Sequence, residues 1–268
     1  MLFRSGAASS PILKNMARGC KEDTSVMMAI PVFMDMKSSR SLVLATLLGL
    51  SAMGAGLGLP ALYAGLALSV SANLQEKFYS GATVSDAELD ELALRRRQLL
   101  FFWDGWLGHD DLAQITLVRA EKLGLHKPEG RALMPEIMRL EQEALRRNPA
   151  NAYAWARLAY ARLVYNGPSR LVLEPLLLSI ASAPYEPSLM ASRIMLLLDT
   201  QPYWAASTEH LFKRQLGFAW LHNGMETAYA AFLEHKTEML RPHLADDPVR
   251  LAQYDKWIAD MRADVSRQ

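Results

Sequence analysis

The sequence predicts an all-α protein, with one N-terminal transmembrane helix and a helical-repeat domain behind it. Three observations carry this reading. No charged residue occurs from Ser41 to Gln75. Beyond that run, apolar residues recur at steps of three and four between helix caps, with no period-two alternation and no hairpin signal. Two turn prolines, Pro149 and Pro184, stand 35 positions apart and close successive helical units.

A spanning helix needs about 20 apolar residues. The run from Ser41 to Gln75 is long enough for one span and too short for two. Pro60 and the glycines at 54, 56, 58 and 65 predict a kink or a local break inside it. Lys37 and Arg40 precede the run, and Asp86, Glu88, Asp90 and Glu91 follow it. The positive-inside rule then places the N-terminus in the cytoplasm and the C-terminal domain in the periplasm, as a single-pass protein of the inner membrane. Residues 1–40 are read as a poorly ordered cytoplasmic tail, 41–75 as the anchor, 76–130 as membrane-proximal helices and 131–268 as the repeat domain. Met36 is followed by KSSR and the apolar run, the order of a signal sequence, which makes Met36 an alternative start to Met1. Val70-Ser71-Ala72 resembles a cleavage site, but the apolar stretch exceeds the ~7–15 residues of a signal core, which favours an uncleaved anchor.

Composition narrows the function classes. Apolar residues make up 51% and charged residues 21%, which fits a soluble domain joined to one membrane segment. A formal net charge of +1 supplies no basic field for nucleic acid. The single cysteine, Cys20, excludes an intramolecular disulfide and a thiol-based zinc site.

Each predicted helix has its own signals. Ser85 with Glu88 has capping-box spacing, and Leu89, Leu92, Ala93, Leu99, Leu100 and Phe101 form the apolar face behind it. Arg95, Arg96 and Arg97 read as the solvated side of that helix. Phe101, Phe102, Trp103, Trp106 and Leu107 form an aromatic cluster loosened by Gly105 and Gly108. Asp110 is placed as the cap of a helix ending near Gly124. Further helices are expected from Ala132 to Arg147, around Trp155, Leu158 and Ala159 ahead of the turn at Asn166-Gly167-Pro168, and from Leu171 to Ser182. Another is expected from Pro202 to about His222, stopped by Asn223-Gly224, and then one from Glu226 to Leu240. The last begins at Asp247-Pro248, a cap followed by proline in the first turn.

No catalytic constellation is legible. HExxH, GxxxxGK[ST] and GxSxG are all absent, and the glycine-rich stretch at 54–58 lies inside the apolar run. His109-Asp110-Asp111 is the nearest candidate, but neighbouring residues on a helix do not face one another. A helix cap with acidic residues at the positive dipole end accounts for it better. The reading is a non-enzyme with no cofactor and no metal. Trp103, Trp106, Arg95, Arg96 and Arg97 are the candidate contacts for a partner protein or glycan. Trp155 is read as a packing residue rather than a sugar platform.

The segment from Asn148 to Pro184 resembles a tetratricopeptide repeat. Trp155-x-x-Leu158-Ala159 stands where that repeat has W-x-x-L-G, and Pro149 and Pro184 stand at its closing proline, near the ~34-residue period. Arg162 departs from it, standing at the consensus tyrosine. NPANAYAWARLAYARL, LLLSIASAPYEPSLMASRIMLLL and RQLGFAW, with the single anchor, also resemble VpsP-type bacterial polysaccharide biosynthesis proteins. That resemblance implies a membrane-anchored scaffold that assists surface exopolysaccharide biosynthesis or export through protein partners in the assembly machinery. It brings no catalytic residues. Two other readings remain: a small membrane enzyme using the Trp103–Asp111 region, and a cytoplasm-facing adaptor if the topology is inverted.

Overall fold

The computed structural model describes residues 45–51, 54, 58, 62, 72–79, 82–102 and 104–267. The tail 1–40, most of the expected anchor, Cys20, both alternative starts and Trp103 lie outside the described residues. Among the described residues no helix is long and apolar enough to cross a membrane. The chain forms two compact units, Met1–Met53 and Gly54–Gln268. In the first, residues 45–51 are helical and exposed.

The second unit is all helical, with no strand among its described residues. Its helices are α1 (Ala72–Tyr79), α2 (Asp86–Phe102), α3 (Trp106–Leu123), α4 (Pro128–Arg131), α5 (Met134–Arg147) and α6 (Ala152–Asn166). After these come α7 (Arg170–Ser182), α8 (Pro187–Asp199), α9 (Ala206–Leu233), α10 (Thr237–Leu240) and α11 (Pro248–Arg267). α3 packs chiefly on α5, α6 on α7, and α8 on α9, giving three consecutive helical hairpins. α5 against α6 and α7 against α8 join one hairpin to the next, and α6 also touches α8.

The junctions repeat in geometry. The residue before each closing proline is held extended, Asn148 at φ −137°, ψ 80° and Ala183 at φ −148°, ψ 81°. Proline's ring disfavours the helical region for the residue ahead of it, so both helices stop there. The next helix begins three residues after each proline, at Ala152 and at Pro187.

α6 explains the stacking. Its sequence, AYAWARLAYARLVYN, is apolar nearly all round, the pattern of a helix enclosed by others. Ala152, Ala154, Ala156, Ala159 and Ala161 are all buried. Alanine loses no rotamer freedom in a helix and lets neighbouring axes approach closely. Among the described residues, α6 contributes to all four apolar clusters. Ala161 joins the one built from α2, α3 and α5, Ala159 joins the one running through α11, and two smaller clusters take the rest. Leu158 is buried, whereas Trp155 is only half-buried, packed beside Leu145, Ala154 and Leu158 with its Nε1 donating to Pro149 O at 2.8 Å. Pro184 O accepts from Gln215 Nε2 at 2.9 Å.

Several boundaries differ from the sequence reading. α3 starts at Trp106, with Gly105 as its cap residue, so Asp110 stands inside the helix rather than at its cap. The expected stop at Asn223-Gly224 is a kink: Asn223 leaves helical geometry at φ −139°, ψ 39°, and the helix resumes. Asn223 Nδ2 donates to Pro187 O at 3.1 Å, which fixes the bend to α8. The helix expected to run on to Leu240 ends at Leu233. Lys236 N donates to Ala231 O at 2.7 Å and His235 N to Phe232 O at 3.2 Å, a Schellman closure with His235 at φ 56° where glycine is usual.

The expected caps at Ser85 and Asp247 form. Ser85 Oγ accepts from Glu88 N at 3.3 Å and Glu88 Oε2 accepts from Ser85 N at 2.7 Å. Asp247 Oδ1 accepts from Val249 N and Arg250 N. Gly130 answers a steric need the sequence did not announce: a Cβ there would lie 2.3 Å from Gly124 O.

Enlarging a buried alanine of α6 overfills the junction. Ala161→Leu is expected to destabilise by about 1–3 kcal/mol, measured as a lowered melting temperature by circular dichroism. Ala252→Leu makes the same change at an exposed position of α11 and should leave the melt nearly unchanged.

Candidate functional site

The three hairpins line up their first helices, α3, α6 and α8, along one groove of about 250 Å³. α3 supplies Leu117 and Glu121, α6 supplies Tyr153, Arg157, Tyr160 and Leu163, and α8 supplies Ser192, Met195 and Asp199. Glu234, just past the end of α9, completes the wall. The floor is aliphatic and aromatic and the rim is polar, the make-up of a binding groove.

Arg157 rises into this groove from a buried polar cluster. Its Nε donates to Glu141 Oε1 at 2.5 Å, and its Nη2 donates to Asp110 Oδ1. Asn151 Nδ2 also donates to Asp110 Oδ1, at 2.9 Å, while its own Oδ1 caps α6 by accepting from Tyr153 N and Ala154 N. The cluster therefore ties α3, α5 and α6 together at the start of α6. The Glu141 side chain is wholly buried, and burial pushes its carboxyl up to about 8 against the pull of Arg157, with the Asp110 charge adding to the rise. A proton held on Glu141 matches two carboxyls to one guanidinium.

A second buried pair joins α2 to α3. Arg96 Nε and Asp111 Oδ2 are 2.5 Å apart, with side chains 2% and 3% exposed. This corrects the reading of Arg95 to Arg97 as one solvated face. Arg95 pairs with Glu91 at 2.8 Å on the surface and Arg97 is exposed, but Arg96 points into the core. Buried in this way, Arg96 offers no surface to a partner protein or glycan. Trp106 is 38% exposed and remains on the surface, and neither it nor the three arginines line the groove.

His109, Asp110 and Asp111 diverge. His109 Nε2 meets Asp104 Oδ1 at 2.8 Å, Asp110 turns to Arg157 and Asp111 to Arg96. They do not converge on one point where a substrate atom could sit. Among the described residues no group of three or more histidine, cysteine or carboxylate side chains is placed to hold a metal ion.

At the far end of the groove, the Schellman turn delivers Lys236 into a nearly buried position. Its Nζ donates to Asp199 Oδ2 at 2.7 Å, to Glu234 Oε2 at 2.5 Å and to Met195 O at 3.2 Å. Behind the groove, Arg193 is buried. Its guanidinium donates to the carbonyls of Ser179 and Ala183 at the C-terminal end of α7 and to Ser179 Oγ. Burial pulls Arg193 down to about 10, opposed by Glu186 and Tyr153, and the negative end of α7 accepts its charge.

The sequence held signals for part of this site. Arg157 and Arg162 interrupt an otherwise largely apolar helix, and Glu141 sits on the stripe of Ile137, Leu140, Ala144 and Leu145. A charge on a core-facing stripe requires a buried partner. Nothing local marks Glu121, Asp199 or Glu234 as neighbours. No family model, curated protein or solved structure matches the chain.

Arg96→Met strands the Asp111 carboxylate in the core and is expected to cost about 3–5 kcal/mol, whereas Arg96→Met with Asp111→Leu should recover most of that loss; thermal melts of the three proteins decide it. Glu141 gives a pH signature. The unfolded carboxyl ionises near the ordinary glutamate value, while the folded one keeps its proton to about 8. The folded state thus binds the extra proton between those limits, and stability falls as pH rises through that window. Glu141→Gln should flatten the decline in melting temperature between pH 5 and pH 8.

Proposed function

We propose that this chain is a membrane-anchored helical-repeat scaffold whose groove holds a segment of a partner protein. Supporting this is one observation above all. The first helices of three successive hairpins leave a largely apolar groove open to solvent. The repeated junctions at Pro149 and Pro184, and the spacing of Trp155, Leu158 and Ala159 in the sequence, support a tetratricopeptide-like arrangement of these hairpins. Stacked helix pairs of this kind present extended concave surfaces to partners.

The anchor belongs to the same proposal. The uncharged run from Ser41 to Gln75 and the basic residues before it support a single inner-membrane span with the helical unit in the periplasm. On the resemblance of the segment 148–220 to VpsP-type proteins, the partner is a component of bacterial surface polysaccharide biosynthesis or export. An enzyme built on Trp103–Asp111 has less support, because Asp110 and Asp111 are each engaged by a buried or half-buried arginine.

The test is site-specific photo-crosslinking in native bacterial membranes. A benzophenone side chain replacing Ser192, in the groove, is expected to trap a polysaccharide-assembly protein, and one replacing Arg97 is expected to trap none. Crosslinks from position 97 alone would overturn the groove as the docking surface. Recovery of the uncleaved full chain in the supernatant after detergent-free lysis and ultracentrifugation would overturn the anchor.

A further inference from the structure

The groove's charge names its occupant more closely. Three carboxylates face it from three different elements: Glu121 on α3, Asp199 at the end of α8 and Glu234 beyond α9. The cations nearby are already committed. Lys236 is held by Asp199, Glu234 and a backbone carbonyl, and Arg157 is held by Asp110 and Glu141. Glu121 makes no ion pair among the described residues, although its neighbours Arg119 and Lys122 pair with Asp90 and Asp86 on α2.

Tyr160 lies in the field of these groups. Burial, then the charges of Glu121 and Glu234, push its hydroxyl up to about 12. The groove lining combines the Tyr160 ring with the carboxylates of Glu121 and Glu234, and Leu117, Leu163 and Met195 add apolar surface to it. A cation over a tyrosine face is stabilised by the ring quadrupole, and adjacent carboxylates add direct pairing. Apolar side chains gain from the floor through burial.

We propose that the groove takes an extended polypeptide segment carrying a lysine or arginine next to bulky apolar residues, with the cation seated between Glu121, Tyr160 and Glu234. The proposal rests on the groove being the docking surface. Neutral glycans lack the charge that this wall selects, and acidic segments are repelled by it.

The experiment uses the full chain in detergent micelles and a phage-displayed library of random 12-residue peptides. Selected peptides are expected to be enriched in lysine or arginine flanked by leucine, phenylalanine or tryptophan. Fluorescence anisotropy of a selected peptide should show at least a tenfold loss of affinity with Glu121→Lys, a smaller loss with Glu121→Gln, and weakening as sodium chloride rises from about 50 to 300 mM. Ser192→Trp fills the groove without entering the core and should abolish binding, with circular dichroism melts confirming that each variant folds. Selection of peptides without basic residues overturns the cationic assignment. So does displacement of the peptide by cellohexaose that Glu121→Lys leaves unchanged. In either case sensitivity to Ser192→Trp leaves the groove reading standing. Peptide binding that survives Ser192→Trp, or no selection at all, overturns both.

Discussion

The structure depends on the enclosure of α6. This one helix touches α5, α7 and α8, and five buried alanines allow all of them close to its axis. Close approach leaves little room for polar groups, yet Arg157 stands in the middle of the helix. Its charge is tolerable because Asp110 arrives from α3 and Glu141 from α5. A buried ion cluster of this kind contributes little net stability over an apolar equivalent, but it penalises every arrangement in which one partner is missing. The cluster therefore acts on the register between the first and second hairpins more than on the total stability.

The groove is a consequence of that register. When hairpins stack through their second helices and the next first helix, the remaining faces of the first helices line up. α3, α6 and α8 share a surface that the chain does not cover. The two ends of this surface differ. Near the start of α6, Arg157 is neutralised by Asp110 and Glu141, and Tyr153 lines the groove. Near the end of α8, the turn at His235 brings a lysine back against Asp199 and Glu234. Two cations are thus consumed internally, and Glu121 is left as the outward charge. The electrostatic character of the groove follows from which ions the fold needs for itself.

Local chemistry was legible wherever one residue decides the outcome. The boxes at Ser85 and Asp247, the left-handed stop at Gly124 and the extended residues before Pro149 and Pro184 all obey rules that act within four positions. Readings failed where a long-range contact overrode the local signal. Asn223-Gly224 has the composition of a stop, but packing on both sides carries the helix through as a kink. His235 takes a glycine's conformation at the turn that leads into the buried Lys236, whose Nζ donates to Asp199. Arg96 belongs to a run of three arginines that reads as solvent-facing, and a carboxylate fifteen positions away draws only the middle one inward.

From its residues alone this protein is all-helical, with paired helices punctuated by prolines, an uncharged run long enough for one membrane span and no recognisable catalytic motif. Those properties follow from periodicity, capping and composition, which act over a few positions or over the whole chain. The groove, the ion cluster beneath it and the Glu121 carboxylate on its rim were decided only by tertiary structure. Their residues are drawn from four helices spread over more than a hundred positions, and no short-range rule states which charges a fold will bring together or which it will leave facing solvent.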